Sequence, residues 1–447
     1  MKGGRIVTDV EEVATVAALT HDAEGVVRDG KAAFVAGALP GERIRFRRVR
    51  RHRQHDDAEL LEVLEPSAER VVPKCAHFGV CGGCALQHLS PEAQLDIKQT
   101  ELRDNLERVG KVTPREWLPP LRGPVWNYRR RARLGAKFVT KKDRVVVGFR
   151  ERLAPYVAEV HTCEVLADPL GKLIAPIAAM LNELSIRHRI PQIEAAVADN
   201  VVALVLRVLD TPSPDDLDKL RAFAQLHAVR FYLQTGGLDS VTPLDGPAQS
   251  LRYGLPQFDL QLEFTPTDFV QINAAINQAL VGRAVELLGL TPESSVLDLF
   301  CGLGNFTLAL ARNAGRAVGV EGEKGLVERA RHNANLNGIS NADFHLADLG
   351  KPLDAGLPWL QESYSHVLLD PPRAGASEVL ASISRLNPQR VLYISCHPGS
   401  LARDLGLLVN EHGMSLVAAG VMDMFPHTTH VESMAILEPA RRKGRMP

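Results

Sequence analysis

From residue 265 to the end of the chain, short apolar runs alternate with amphipathic stretches: "SSVLDLF", "NFTLALARNA", "RAVGVE", "KGLVERARHNANLNG", "ADFHLAD", "YSHVLLDPPR" and "RVLYISC". Few folds accept that rhythm. Apolar runs with no polar alternation need cover on both faces, and helices between successive strands supply it, so the pattern predicts a parallel, doubly wound α/β sheet. Ligands of such sheets bind beyond the carboxyl ends of the strands. Asp298, Glu321, Asp348, Asp370 and Cys396 fall at or near those ends.

The preceding sequence follows other rules. Residues 1–66 alternate polar and apolar positions between Asp-Gly and Pro-Gly turn signals, the pattern of a small β-barrel. Residues 67–264 mix strand-like runs such as "VVALVLRVL" with helical ones such as "SPDDLDKLRAFAQLH", which suits an α+β domain. Three domains are expected in the 447 residues: 1–66, 67–264 and 265–447. No apolar stretch approaches the ~20 residues that cross a bilayer, so no membrane partner is expected. The segment holding Asp9, Glu11 and Glu12 lacks the apolar middle of a secretory signal. A cytoplasmic monomer is the expectation, and its six cysteines are too sparse for a disulfide scaffold.

With 52 basic and 53 acidic residues the net charge of −1 excludes no partner; the distribution says more. "RFRRVRRHR", residues 45–53, packs six arginines into nine residues, and "YRRRAR", residues 128–133, adds four. A charge run is commonly a solvated face. Two such runs, with Phe46, Trp126 and Tyr128 beside them, fit phosphate contacts with base stacking, and RNA or DNA becomes the expected partner.

The first strand-to-helix turn of the sheet reads "DLFCGLGNF", residues 298–306. Gly302 and Gly304 permit close backbone approach, and Glu321, after the next strand, is placed to accept ribose hydroxyls. A dinucleotide fingerprint would want a small third residue where Thr307 stands, and Asp298 would repel a pyrophosphate. An adenosine carrying a sulfonium and an ammonium fits better, which predicts S-adenosylmethionine. "LLDPPR" sets Asp370 at a later strand end, and "SCHPG" follows one helix and strand on. A thiol there suits methylation of a pyrimidine carbon: C5 of uracil is a poor nucleophile until a thiolate adds to C6 and makes the ring an enolate. Cys396 is therefore the candidate nucleophile. His397 and His430 are expected to be structural.

"CAHFGVCGGC" brings Cys75, Cys81 and Cys84 together, a spacing that serves zinc and an iron–sulfur cluster equally. Cys163 is the expected fourth ligand, because Cys301 lies in the cofactor turn, where it is read as a packed small residue, and Cys396 has its own role.

"FVQIN", "DLFCGLGNF", "DPPR", "SCHP" and "HVESM" stand in the order found in the RNA uracil-5-methyltransferase family, and the chain resembles that family's bacterial 23S ribosomal RNA branch over essentially its whole length. The resemblance implies an N-terminal OB-like TRAM domain that binds RNA, at "AFVAGALPGE", and a [4Fe–4S] cluster on Cys75, Cys81, Cys84 and Cys163. It implies cofactor contacts from Gln271, Phe300, Asn305, Glu321, Asp348 and Asp370, with Cys396 as nucleophile and Glu432 as the base that removes the C5 proton. The target uracil would leave its stack to reach the thiol. The implied activity is S-adenosylmethionine-dependent methylation of a uridine in 23S rRNA. The alternatives are another RNA site, including tRNA, or a non-catalytic assembly factor.

Overall fold

The computed structural model describes residues 4–5, 10–152 and 154–440. The chain divides into two compact units, one of residues 1–97, 148–160 and 426–429, the other of 98–147, 161–425 and 430–447.

The first unit holds a seven-stranded sheet whose longest members, Arg43–Arg51 and His55–Glu65, pair antiparallel. Alternation along the first of them turns Ile44 and Phe46 into a core with Val16, Val27 and Val35. The arginines between them meet the carboxylates of neighbouring strands: Arg43 with Glu65 at 3.1 Å, Arg45 with Glu62 at 3.0 Å, Arg47 with Glu59 at 2.7 Å, and Arg48 with both Glu12 at 2.8 Å and Asp56 at 3.1 Å. The run expected to face phosphates is thus largely a cross-strand ladder of ion pairs. Arg50, Arg51 and Arg53, at the end of the hairpin, have no carboxylate partner among the described residues.

The second unit contains two large sheets. One includes Arg131–Val139, Gln192–Val197, Val202–Arg207 and Val229–Gln234. It also employs the second arginine run internally: Arg130 pairs with Asp199 at 2.6 Å, Arg133 with Glu194 at 2.8 Å, and Arg131 donates to the Pro266 carbonyl. The other sheet has the strand order Ala342–Leu346, Arg316–Glu321, Ser295–Leu299, His366–Leu369, Arg390–Ser395, Glu432–Pro439, Met414–Met422, Glu116–Trp117. Its first five strands are parallel, as the alternating pattern predicts, and Glu432–Pro439 runs antiparallel to both its neighbours. Val296, Leu297, Val318, Val367, Leu368, Leu392 and Ile394 are buried, so the apolar runs are covered on both faces. Glu116–Trp117 joins this sheet from far upstream, pairing parallel with Met414–Met422. No helix among the described residues is long and apolar enough to cross a membrane.

Candidate active site

The strand Arg390–Ser395 ends one residue before Cys396, and the helix Pro398–Asn410 begins two residues after it. The turn is held from both sides. His397 Nδ1 accepts the Ser400 amide at 3.1 Å and caps the helix, while Ser395 Oγ accepts the His397 amide at 3.1 Å. His397 is structural, as expected, and His430 Nδ1 lies 2.9 Å from Arg373 Nη2. Across the ladder Ser395 faces Ser433. Continuing the antiparallel register by one residue sets Cys396 opposite Glu432.

Asp370 follows the neighbouring strand, whose Leu369 pairs with Tyr393. Three proton-bearing groups therefore share one end of the sheet. Burial, then the charges of Glu432 and Asp370, push the Cys396 thiol up to about 11 against the pull of Arg373. Glu432, 9% exposed, is pushed up to about 8 by burial and by Asp370, opposed by Arg373 and Lys98. Burial raises Asp370 to about 7. Lys98 is itself buried, donating to Asp423 Oδ1 at 2.8 Å and to the Phe425 carbonyl at 2.9 Å.

The turn after Ser295–Leu299 is tightly made. Phe300 holds a left-handed backbone at φ 65°, a conformation costing a non-glycine residue about 1 kcal/mol or more, with its amide on the Val320 carbonyl at 2.9 Å. Gly302, at φ 56°, donates to Glu321 Oε2 at 3.1 Å, and Glu321 Oε1 accepts the Gly322 and Glu323 amides. Phe300 and Glu321 are thus brought to one turn. Asp298 lies beneath it, fully buried and pushed up to about 8 by burial; Thr307 donates to its Oδ2, and its Oδ1 has no hydrogen-bond partner among the described residues. Cys301 is buried, which fits its reading as a packed small residue.

Asn305 and Gln271 approach from another direction. Asn305 Oδ1 accepts from Tyr253 Oη at 2.9 Å and from Asn277 Nδ2 at 3.0 Å, and Asn305 Nδ2 donates back to Asn277 Oδ1. Tyr253, Asn277 and Gln271 line a pocket together with Arg130 and Arg131. Tyr253 and Asn277 carry no motif signal; only the spacing of Asn273 and Asn277, four residues apart on one helix face, hints at the second. Asp348 lies just beyond the Ala347 amide that bonds the Glu321 carbonyl at 3.0 Å, exposed at the sheet edge and held below the usual carboxylate range by Lys351 and the Gly350 amide. Cys75, Cys81 and Cys84 lie in turns before the helix Pro91–Asn105, partly exposed and not in disulfides; Cys81 Sγ accepts the Gly83 amide at 3.4 Å. Cys163, also partly exposed, precedes the helix Leu170–Asn182.

A cationic ligand suits this ground. Asp298, Glu321, Asp370 and Glu432 gather at neighbouring strand ends, and Arg373 is the cation that acts on both Cys396 and Glu432.

The family model described as tRNA (Uracil-5-)-methyltransferase matches residues 249–349 and 355–440. A protein of Xanthomonas axonopodis pv. citri named 23S rRNA (uracil(1939)-C(5))-methyltransferase RlmD is 49% identical over 424 residues, covering 94% of this chain and 95% of its own. One of the same name from Methylococcus capsulatus is 46% identical, covering 98% and 99%. Among solved structures, the Pyrococcus abyssi tRNA (uracil-54, C5)-methyltransferase in complex with S-adenosyl-L-homocysteine covers 95% of this chain and 99% of that one with a TM-score of 0.75 at 23% identity, a likeness of fold. Identity close to one half across nearly the full length of such relatives means that the chain belongs to the RNA uracil-5-methyltransferase family, in the branch of RlmD.

Proposed function

We propose that the protein methylates C5 of a uridine in 23S rRNA through a covalent cysteine–C6 adduct. The observation carrying this reading is the register that sets Cys396 opposite Glu432, with Asp370 coupled to both. S-adenosylmethionine supplies the methyl group as an electrophile. Glu321 and the turn around Gly302 would hold its ribose, Phe300 would pack on adenine, and Gln271, Asn305, Asp348 and Asp370 would complete the contacts.

The thiol is poorly acidic in a cluster of carboxylates, and positive charge entering the site lowers its pKa. Cys396 gives up its proton to solvent, its sulfur bonds to C6 as the C5=C6 electron pair moves toward O4, and C5 would then take the methyl group as the cofactor's sulfonium–methyl bond breaks and leaves a neutral thioether. Glu432 removes the remaining C5 proton, and the returning electron pair expels the sulfur. A carboxyl near 8 is well matched to that transfer, since it is partly ionised at neutral pH and basic enough to take the proton.

In the same reading residues 1–66 form the TRAM barrel that binds RNA, 67–264 the central domain and 265–447 the methyltransferase domain, the whole working as a cytoplasmic monomer. Cys75, Cys81 and Cys84, with Cys163 as fourth ligand, hold a [4Fe–4S] cluster whose role is structural. Support comes from the motif order and from the amide donated to Cys81 Sγ, a kind of contact that cluster thiolates receive. Iron and sulfide in equal amounts in anaerobically purified protein are expected; one equivalent of zinc without sulfide would remove the cluster.

The decisive experiment uses Glu432→Gln with a 23S rRNA fragment and methyl-labelled cofactor. A denaturation-resistant protein–RNA band carrying the label is expected, because the methylated adduct keeps its C5 proton. An unlabelled or non-covalent complex takes Glu432 out of the base role.

A further inference from the structure

At the end of the hairpin Arg43–Arg51/His55–Glu65 three side chains converge. His52 Nε2 lies 2.9 Å from Asp57 Oδ2, and His55 Nε2 lies 3.6 Å from Asp57 Oδ1, so one carboxylate is addressed by two imidazoles through its two oxygens. One ligand atom from each residue falls within 4.8 Å of the others. The His52 contact is a hydrogen bond; at 3.6 Å the His55 contact is not. Ligands about 2.0–2.1 Å from a tetrahedral ion stand roughly 3.3 Å apart, so small side-chain shifts would draw these three atoms onto one ion.

Neighbouring contacts keep the three side chains close together. The His52 ring stacks on His55 with centroids 4.5 Å apart, and His55 stacks on Phe34 at 4.2 Å. The His52 amide donates to the His55 carbonyl at 3.0 Å, and Lys31 Nζ bridges the His52 carbonyl and Asp56 Oδ1. Lys31 and Arg48 occupy Asp56, leaving Asp57 for the histidines. The three side chains are 27%, 31% and 37% exposed, so an ion held by them keeps a position open to water.

We propose that His52, His55 and Asp57 bind one late first-row divalent cation, with Zn²⁺ the best match to two imidazoles and a carboxylate. The site is separate from the cysteine motif and from the methyltransferase chemistry. Its position on the hairpin that also carries Arg50, Arg51 and Arg53 gives the ion a structural role in stiffening that end.

Co²⁺ added to the full-length protein tests this, because its visible d–d bands report tetrahedral nitrogen and oxygen ligands while thiolates add a charge-transfer band in the near ultraviolet. One equivalent is expected to bind with visible bands and no thiolate band, and Zn²⁺ is expected to displace it. His55→Ala and the near-isosteric Asp57→Asn should each weaken binding by about tenfold or more. Asp57→Asn keeps the test open should His55→Ala fail to fold. Absence of the visible bands, thiolate-type binding only, or an affinity unmoved by both substitutions would overturn the proposal.

Discussion

The hairpin of the first unit and the strand ends of the methyltransferase sheet both concentrate charge, and they handle it in opposite ways. On the hairpin Arg43, Arg45 and Arg47 each face a glutamate across the ladder, and these pairs are open to water. At the strand ends buried Glu432 and the half-buried Asp370 and Cys396 crowd acidic groups together, and all three are pushed above their ordinary values. Cancelled, hydrated charge contributes little beyond shape and solubility. Acidic groups whose ionisation is opposed by burial and by one another hold their protons above the usual range, and such perturbed clusters point to candidate functional sites.

Substitutions sharpen the contrast. Cys396→Ala should bind RNA and cofactor yet lose methyl transfer by more than about 10⁴-fold, the scale of removing a covalent nucleophile; single-turnover assays with labelled cofactor measure it, and residual turnover near the parent rate would make the cluster merely structural. Next in size is Lys98→Met. Removing one partner of a buried pair leaves Asp423 charged and unpaired, at an expected cost of about 3–5 kcal/mol in denaturant unfolding, whereas Lys98→Met with Asp423→Asn together should cost less.

Glu432 should also leave a trace in stability. A carboxyl raised from 4.5 to about 8 holds its proton more tightly in the folded state, so its contribution is fully present below 4.5 and is lost as pH rises through 8. Glu432→Gln mimics the protonated form. It should raise the unfolding midpoint by several degrees at about pH 9 and change it little at about pH 4.5; equal shifts at both values would mean that the carboxyl is not strained.

Smaller effects belong to the hairpin. Replacing Arg50, Arg51 and Arg53 should flatten the salt dependence of RNA binding by about 0.7 log–log units for each phosphate left without its arginine. Arg43→Ala and Arg47→Ala, whose guanidinium groups already face glutamates, should leave that slope unchanged and shift unfolding by less than about 0.5 kcal/mol. A large loss of RNA affinity in this last pair would dissolve the contrast.

The parallel sheet was legible because uninterrupted apolar runs bounded by amphipathic segments leave little choice of fold, and Asp370 and Cys396 were legible because their chemistry sits in contiguous motifs at strand ends. What escaped depends on register or on distant segments. The pairing of Arg45 with Glu62 follows from which residues lie opposite each other, and bulges along that hairpin hide it from the sequence. Tyr253 and Asn277 reach Asn305 from separate elements, and beyond the spacing of Asn273 and Asn277 no pattern marks them. Glu116–Trp117 is too short to announce a strand, yet it extends the catalytic sheet.

Because the antiparallel ladder that ends at Ser395 and Ser433 sets Cys396 opposite Glu432, backbone hydrogen bonds act as the ruler between the proposed nucleophile and the proposed base. Side chains in a strand alternate faces at every residue, so losing a single residue between Ser433 and Leu437 would slide the carboxylate off its partner or turn it to the opposite face. Length changes in the turn at 411–413, beyond the end of the ladder, carry no such penalty. Lineages descended from this chain should therefore accumulate insertions and deletions in that turn and almost none within the strand, even where its residue types drift.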